Sequence, residues 1–383
     1  MGMMQRALAA IGLERRSTVA SGTWDTLFGG SAGSITPRAA ENISTVLACT
    51  SAISSALAYI PALVYQRDDA GNRIEALGHP LTRLTQDGVN EAMTWPEFVE
   101  HLGASTLLHG NGLAEIVLDT RGTLTGLVFH PWGNVTVQRL SNGRLRYDVS
   151  EPHMSGRTRP LLEWEVIHLR DRTDDGFIGR SRLSRASETV AGVAAANTFA
   201  KSILENGGYP SGVLEHPGGI SEDQRAALKD TFSRKHGGAA NAGKLLILDH
   251  GLTFKAAQIS PEDAELLESR RFGVEEICRL YQVPPPLVQD YSHNTFTNSE
   301  TAGRWFAQFT LAPWARKIEA AFSKAIFPAG SGLELELDLS GFLRGDPAAR
   351  WQSHKIAIET GVLDPDEVRH IEGWNPRKAG AVA

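Results

Sequence analysis

The sequence predicts a protein of the α+β class, in which helices and a small antiparallel β-module occupy separate stretches of the chain. From Leu113 to Arg170, apolar and polar residues alternate with a period of two, which is typical of half-buried strands. On either side, apolar residues recur at helical spacing between caps and Gly or Pro stops. The 383 residues, 42% hydrophobic and 21% charged, suffice for the core of two or three domains.

The N-terminal elements follow from composition and from one proline. Residues 1–40 are rich in Gly, Ser, Thr and Ala without a sustained period, which predicts a flexible arm. A helix is expected from about Asn42 to just before Pro61, because proline disfavours helical backbone in the residue that precedes it. Residues 62–66 have the pattern of a strand.

The central stretch combines one capped helix with the β-module. Thr94 offers an N-cap and Glu97 completes a capping box, so we expect a helix that continues to Gly110. The period then changes from helical to two. Strands are predicted at residues 114–118, 124–129, 135–137, 144–149 and 166–169, mostly separated by Gly, Asn or Asp.

The C-terminal half alternates long helices with an inserted α/β unit. One helix is predicted over residues 184–206 and ends at two glycines; the next begins at Ser260 and Pro261 and ends at three prolines. Between them we expect strands at 212–215, 244–248 and 253–258 and a helix at 221–235. A polar segment at 291–300, a long helix over 302–327 bent at Pro313, a strand at 333–339 and a helical tail complete the chain.

Charge and composition exclude several classes of protein. A net charge of −6 argues against binding nucleic acid through a large basic surface, although brief or sliding contact stays possible. Cys49 and Cys278 lie in apolar helical stretches and are interpreted as small core residues. Two cysteines make no disulfide framework, which favours a reducing compartment. The apolar run at 48–65 contains Pro61 and several hydroxyl residues, so no membrane span is expected. The apolar stretch at the N-terminus is too short and broken for a secretory signal.

Neither an enzyme nor a bound cofactor or metal ion is expected. Residues 29–33 match a nucleophile-elbow string, but they lie in the N-terminal arm without the required strand and helix. Residues 238–244 resemble a phosphate-binding loop, yet Leu245 stands where Ser or Thr would hold magnesium, and a strand follows where a helix is needed. The histidines lack metal-ligand spacing, and the acidic residues at 262–265 suit a helix N-terminus.

One local concentration of positive charge, here called the arginine segment, spans residues 170–185. Two interpretations stay open: a solvated loop whose ion pairs link subunits, or a contact with DNA or another partner. The arginines are Arg170, Arg172, Arg180, Arg182 and Arg185.

Seven short strings follow one another in an order and spacing that resembles the phage portal (head-to-tail connector) family of tailed phages, in its long-tailed-phage-type branch. They are LLHGNG at 107–112, PSGVL at 210–214, NAGK at 241–244, SPEDAE at 260–265, VPP at 283–285, TFTNSE at 295–300 and LAPW at 311–314. The resemblance covers residues 40–345. The chain departs from the family pattern at residues 88–90, where an Asn-Pro pair is common, and after Gly345.

The resemblance implies a portal fold with wing, stem, clip and short crown regions that assembles as a ring around a central channel. Its regions would be a wing at 41–183, stem helices at 184–206 and 260–286, a clip at 207–259, a tunnel loop at 287–302, a long kinked helix with a wing strand at 303–345, and a crown at 346–383.

The resemblance also implies a structural role at the unique capsid vertex, through which double-stranded DNA is packaged and ejected. Expected partners are further copies of the chain, about twelve in the family, transiently bound DNA, the large terminase subunit, the head-tail adaptor and the major capsid protein, with no membrane. The protein would belong to the virion, a gene-transfer-agent-like particle included, after assembly in the host cytoplasm. The tunnel-loop candidates for DNA contact are Ser292, His293, Asn294, Thr295, Thr297 and Asn298, and the clip candidates for docking are Arg234, Lys235 and His236.

Simple geometry agrees with a ring. A helix over 260–282 spans about 35 Å, and twelve helices of about 10 Å diameter enclose an opening of roughly 28 Å. Such an opening admits a duplex, whose grooves are each only about 8 Å deep. Small polar groups in the tunnel loop would touch the DNA backbone loosely and restrain slippage. The alternative function is another head-completion or minor capsid protein, against which the inserted unit at 207–259 argues.

Overall fold

The computed structural model describes residues 35–67, 72–151, 156–205, 212–215, 221–222, 253–256, 261–291, 296–343, 347–372 and 374. Its helices are α1 (Pro37–Ala40), α2 (Ser44–Tyr59), α3 (Pro80–Asp87), α4 (Trp95–His109), α5 (Arg182–Arg185), α6 (Ser187–Glu205), α7 (Pro261–Tyr281), α8 (Phe296–Phe306), α9 (Ala312–Ile326), α10 (Ser340–Leu343), α11 (Pro347–Glu359) and α12 (Pro365–Ile371). Its strands are β1 (Ala62–Arg67), β2 (Arg73–Glu75), β3 (Asn111–Leu118), β4 (Leu124–His130), β5 (Val135–Arg139), β6 (Leu145–Glu151), β7 (Arg157–Leu162), β8 (Val166–Arg170), β9 (Gly212–Glu215), β10 (Thr253–Ala256) and β11 (Leu333–Leu337). The predicted α+β class is confirmed.

These strands form four small antiparallel sheets. The β-module holds two of them, in strand order β4-β3-β8 and β5-β6-β7. A third, β11-β1-β2, pairs a strand near the start of the chain with one near its end, from Ala62 opposite Leu337 to Gln66 opposite Leu333. The fourth joins β9 to β10.

One large hydrophobic core joins helices from both halves of the chain. Helix α2 packs against α4 and α7, and α9 packs against β8 and β11. In its centre Trp95 and Phe98 meet Phe322 edge-on, with ring centroids 5.6 and 6.3 Å apart. Burial of each such side chain stabilises the fold by about 1.5–3 kcal/mol. A smaller core around Tyr147 lies within the β-module.

The predicted capping box at Thr94 is confirmed. The Thr94 hydroxyl accepts from the Glu97 amide at 3.5 Å, and the Glu97 carboxylate accepts from the Thr94 amide at 2.8 Å. These bonds satisfy two backbone donors at the start of α4 that no helical carbonyl can reach. The helix ends at Gly110, which adopts the left-handed conformation with φ of 82°.

The helix predicted to begin at 302 starts earlier, at Phe296, so part of the polar segment is helical. It passes through a π-helical turn, Ala307–Leu311, before continuing as α9. Pro313 lies in the first turn of α9. Proline has no N–H, and its ring would clash with the carbonyl four residues earlier, so the wider turn directly before Pro313 accommodates it.

Four of the labelled elements were not predicted from the sequence: β2, β7, α3 and α1, the last of which lies within residues 1–40, where a flexible arm was predicted. Conversely, the strand predicted at 244–248 and nearly all of the helix predicted at 221–235 lie outside the described residues, as do residues 1–34 of the predicted arm. Among the described residues, no helix combines the length and the apolar character that crossing a bilayer requires.

Candidate functional site

Several predicted site residues lie outside the described part of the chain. These are the docking candidates Arg234, Lys235 and His236 and the tunnel-loop candidates Ser292, His293, Asn294 and Thr295, and also the rejected motifs at 29–33 and 238–244. Thr297 and Asn298, expected in a loop, lie in the first turn of α8. Their backbone is therefore helical, and a loop in this region can extend no further than residue 295.

Helices α6 and α7 pack against each other and flank the insertion. Their contact is close at Gly273, where an added Cβ would lie 3.1 Å from a methyl carbon of Val193. Strands β9 and β10 pair antiparallel, with Gly212 opposite Ala256, so the chain's path into the insertion and its return run side by side. The sequence prediction of strands in this unit is confirmed for these two.

The arginine segment is a tight loop whose charges are mostly engaged within the chain. The Arg170 guanidinium donates to the carbonyls of Gly176 and Phe177 at 2.8 and 3.1 Å. Arg185 and Arg180 both reach the carboxylate of Asp174, at 2.6 and 3.4 Å. The hydrogen bond from Arg185 is the main reason that the pKa of Asp174 lies below its usual range.

Arg172 differs from the other four arginines. It is exposed, and its side chain makes no hydrogen bond or ion pair within the part of the chain that the structure describes. Its carbonyl, however, accepts from both Arg180 and Arg185. Of the five candidates, Arg172 is thus the one whose charge is available to another molecule.

Arg182 lies at the centre of a buried ion-pair cluster that joins four elements. Its guanidinium donates to the Asp171 carboxylate at 3.0 Å and to the Leu280 carbonyl at 3.1 Å. Lys317 on α9 reaches the other oxygen of Asp171 at 3.3 Å. Both cations lie over the ring of Trp314, with 5.5 and 4.6 Å to its centroid. The cluster therefore fixes the end of β8 and helix α5 against α7 and α9.

Hydrogen bonds from Asn111 also hold the loop of the arginine segment in place. Asn111 is buried, and its side-chain amide binds both backbone groups of Gly179, donating to the carbonyl at 2.7 Å and accepting from the N–H at 2.8 Å. A Cβ on Gly179 would lie 1.9 Å from the Gly110 carbonyl oxygen. The string LLHGNG thus has a physical role, because it ends a helix and secures the loop that carries the arginines.

The β-module borders this loop through a partly buried histidine. The His168 ring is hydrogen-bonded to both the Tyr147 hydroxyl and the Asn111 side chain, each at 3.0 Å, and it stacks on Trp132. Burial, aided by the nearby positive charge of Arg170, lowers the pKa of His168 to about 3. The ring is consequently neutral at physiological pH and acts as a fixed hydrogen-bonding group.

A cleft of about 560 Å³ lies between this part of the β-module and α9. Arg144, Trp164 and Lys324 are among the residues that line it. Within the described ranges, no three His, Cys, Asp or Glu side chains are placed to hold a metal ion. The ion pairs and hydrogen bonds around Arg182, Asn111 and His168 hold the neighbouring helices and loops in fixed positions.

Sequence reasoning found the arginines but missed the groups that hold them, Asp171, Lys317 and Trp314. Asp171 lies between Arg170 and Arg172, and an acidic residue between two arginines was the available signal. Lys317 lies 146 positions further along the chain, so local patterns could not reveal their contact.

Comparison with known proteins identifies the family. The sequence profile described as "Phage portal protein" matches residues 44–373. The portal protein of Enterobacteria phage HK97 is 29% identical over 348 residues, which cover 89% of this chain and 81% of that protein. The probable portal protein of Streptomyces phage phiC31 is 28% identical over 358 residues, covering 90% and 78% of the two chains.

A solved structure has the same fold. A chain in the neck of a native gene transfer agent particle, computed with C12 symmetry, superposes with a TM-score of 0.58 at 22% identity and covers 92% of this chain and 99% of its own. The crystal structure of an HK97 family phage portal protein from Corynebacterium diphtheriae superposes with a TM-score of 0.58 at 17% identity and covers 82% of this chain and 99% of its own, so the α+β architecture is the portal fold. With a family profile that matches most of its length, the chain belongs to the phage portal protein family.

Proposed function

We propose that copies of this chain close into a ring at one vertex of a phage or gene-transfer capsid, and that double-stranded DNA passes through the ring. The observation that carries the proposal is the packed pair α6 and α7 with the β9–β10 insertion between them. A pair of helices joined only through an inserted unit can line a channel while the insertion projects beyond it.

The regions of the proposed subunit follow the element order. The wing comprises residues 41–183 and 303–345, whose strands β1 and β11 pair with each other. The stem helices are α6 and α7, the clip is 207–259, the tunnel loop lies within 287–302, and the crown is 346–383. The portal relatives and the neck chain support this assignment by their similarity over most of the chain.

Twelve is the proposed copy number. It is supported by the C12 symmetry of the similar neck chain. Helix α7 has 21 residues and is about 32 Å long, so twelve copies would wall a channel of that depth. Helices of about 10 Å diameter leave an opening of roughly 28 Å, wide enough for a duplex.

The electrostatics favour passage of DNA over retention. Twelve copies at −6 each carry a formal charge of −72. Such a ring provides little counterion release, the main source of tight nonspecific DNA binding. Four of the arginines in the arginine segment already bind groups within their own chain, which leaves Arg172 for a neighbouring subunit or DNA.

The remaining proposed partners bind to the clip and to the wing. The clip, with Arg234, Lys235 and His236, would dock the large terminase subunit during packaging and the head-tail adaptor afterwards. The wing would contact the major capsid protein. The subunit would assemble in the bacterial cytoplasm and remain in the virion, with a structural role and no catalytic one.

A loop replacement tests the proposal. Residues 292–295 are replaced by a Gly-Ser linker of equal length, and the replacement stops before α8 so that this helix is left intact. The expected result is intact rings in electron micrographs with reduced DNA retention in particles. The same replacement in the exposed hairpin at 140–143 is the control and should change neither. Normal DNA retention with the 292–295 variant would contradict the tunnel-loop role.

A further inference from the structure

The two cysteines of the chain meet in the core although 229 positions (278 − 49) separate them. Cys49 lies in α2 and Cys278 near the C-terminal end of α7, two helices that pack against each other. Both side chains are buried in the same hydrophobic core, and both thiols are free. The two thiols lie close enough for each to shift the pKa of the other. Because a disulfide needs its two cysteines on adjoining backbones, the packing of α2 on α7 places this pair where an S–S bond can close.

Cys278 also borders a route to solvent. It lines a cleft of about 540 Å³ together with Val283, Pro285 and Trp305. Interaction with the Cys49 thiol lowers the pKa of Cys278, whereas interaction with Cys278 and burial raise the pKa of Cys49. Because Cys278 lines the cleft and Cys49 does not, Cys278 is the attacking group and Cys49 the resolving one. The lowered pKa of Cys278 also favours the thiolate, which is the nucleophile in thiol–disulfide exchange.

We propose that Cys49 and Cys278 form a reversible disulfide that ties α2 to the C-terminal end of α7. The oxidant is a small-molecule disulfide that enters the cleft. The Cys278 thiolate attacks one of its sulfurs and releases the first thiol, which leaves a mixed disulfide on Cys278. The Cys49 thiol then gives up its proton and attacks the Cys278 sulfur, releasing the second thiol. One small disulfide is thereby reduced to two thiols while two protein thiols become one disulfide.

The disulfide would hold α2 and the C-terminal end of α7 together. Helix α2 belongs to the large core, whereas α7 continues from the β9–β10 insertion. A bond between them fixes the core end of α7 and removes conformational freedom mainly from the unfolded chain, because the enclosed loop is long. In a reducing compartment the pair stays a dithiol, and it closes when the protein meets oxidising surroundings. The inference does not depend on the proposed ring.

The test uses the full-length wild-type protein under native conditions. Incubation with cystamine should lower the intact mass by about 2 Da, and peptide mapping should recover the Cys49 and Cys278 peptides as one linked species. The unfolding midpoint should rise, on the order of 5 °C, and return to its original value after treatment with a reductant.

Two variants check the order of events. Cys49→Ala should accumulate a stable cysteamine adduct on Cys278, because no resolving thiol is present. Cys278→Ala should remain unmodified, because Cys49 lacks access and has the higher pKa. Wild-type protein that keeps both thiols, retains a cysteamine adduct or forms only covalent dimers would overturn the proposal. That wild-type result decides the matter even if neither variant folds.

Discussion

Replacing Asp171 with Asn should destabilise the fold far more than the small change in shape suggests, because two cations share this carboxylate. Asp171 is buried and accepts from Arg182 at 3.0 Å and from Lys317 at 3.3 Å. The neutral amide would leave Arg182, whose side chain is only 16% exposed, without its counter-charge.

The expected size of the effect follows from the exposure of the two cations. Removing one partner of a fully buried ion pair costs about 3–5 kcal/mol. Here the Lys317 side chain is 42% exposed and can turn into water, and Arg182 keeps its hydrogen bond to the Leu280 carbonyl at 3.1 Å. Solvent screening therefore lowers the expected loss in the free energy of unfolding to about 2 kcal/mol.

Urea denaturation followed by tryptophan fluorescence measures this loss, at a fixed protein concentration because assembly adds apparent stability. Asp174→Asn is the matched control: its exposed carboxylate also faces two arginines, yet its loss should shift the midpoint less. Adding Arg182→Met to Asp171→Asn should recover part of the loss, since the charge of Arg182, only 16% exposed, is then no longer left without its partner. Equal midpoint shifts for Asp171→Asn and Asp174→Asn would refute the reasoning.

Three further changes probe the same region. Gly179→Ala should cost more than about 3 kcal/mol of stability, because its Cβ would lie 1.9 Å from the Gly110 carbonyl oxygen. Thermal unfolding measures this loss, with Gly133→Ala as the control, because a Cβ at Gly133 meets no atom within 4 Å. Stability should fall as pH drops from about 6.5 toward 3, because the unfolded chain protonates His168 there while burial holds its folded pKa at about 3. In His168→Gln that part of the pH dependence should disappear, and an unchanged slope in pH-dependent melting would exclude this origin. Arg172→Ala should leave the free energy of unfolding within about 0.5 kcal/mol but reduce ring yield or DNA retention, and normal values of both would remove Arg172 from any interface.

Local signals in the sequence predicted much of the fold. The capping box of Thr94 and Glu97 depends on residues three positions apart, and the strands β3 to β6 were predicted from alternation and turn residues within a few positions of one another. Such features need no knowledge of distant segments. For the same reason the order of short strings was enough to predict the family and the portal fold.

Elements that depend on distant partners were missed. Strand β7, with the sequence RTRPLL, has little apolar alternation and exists because it pairs with β6, from Arg146 opposite Leu162 to Glu151 opposite Arg157. Helix α8 begins within a polar stretch whose residues give no apolar period. Tertiary contacts, absent from any local window, decide both cases.

In the candidate site, too, local features were predicted from the sequence and contacts between distant residues were not. Charge clustering in the sequence marked the arginine segment, but the groups that hold the arginines came only from the structure. Asp171 meets Lys317 across 146 positions, and the Cys49–Cys278 contact spans more. Contacts at such separations are fixed by how α2, α7 and α9 pack, and no spacing rule predicts them.

The mass and shape of the purified protein test the central claim most directly. Electron microscopy combined with single-particle mass measurement should find closed rings with a central hole and a mass near 500 kDa, for twelve chains of 41.5 kDa each. A compact particle of 41.5 kDa that never closes into rings, at any protein concentration or in the presence of capsid components, would contradict the account.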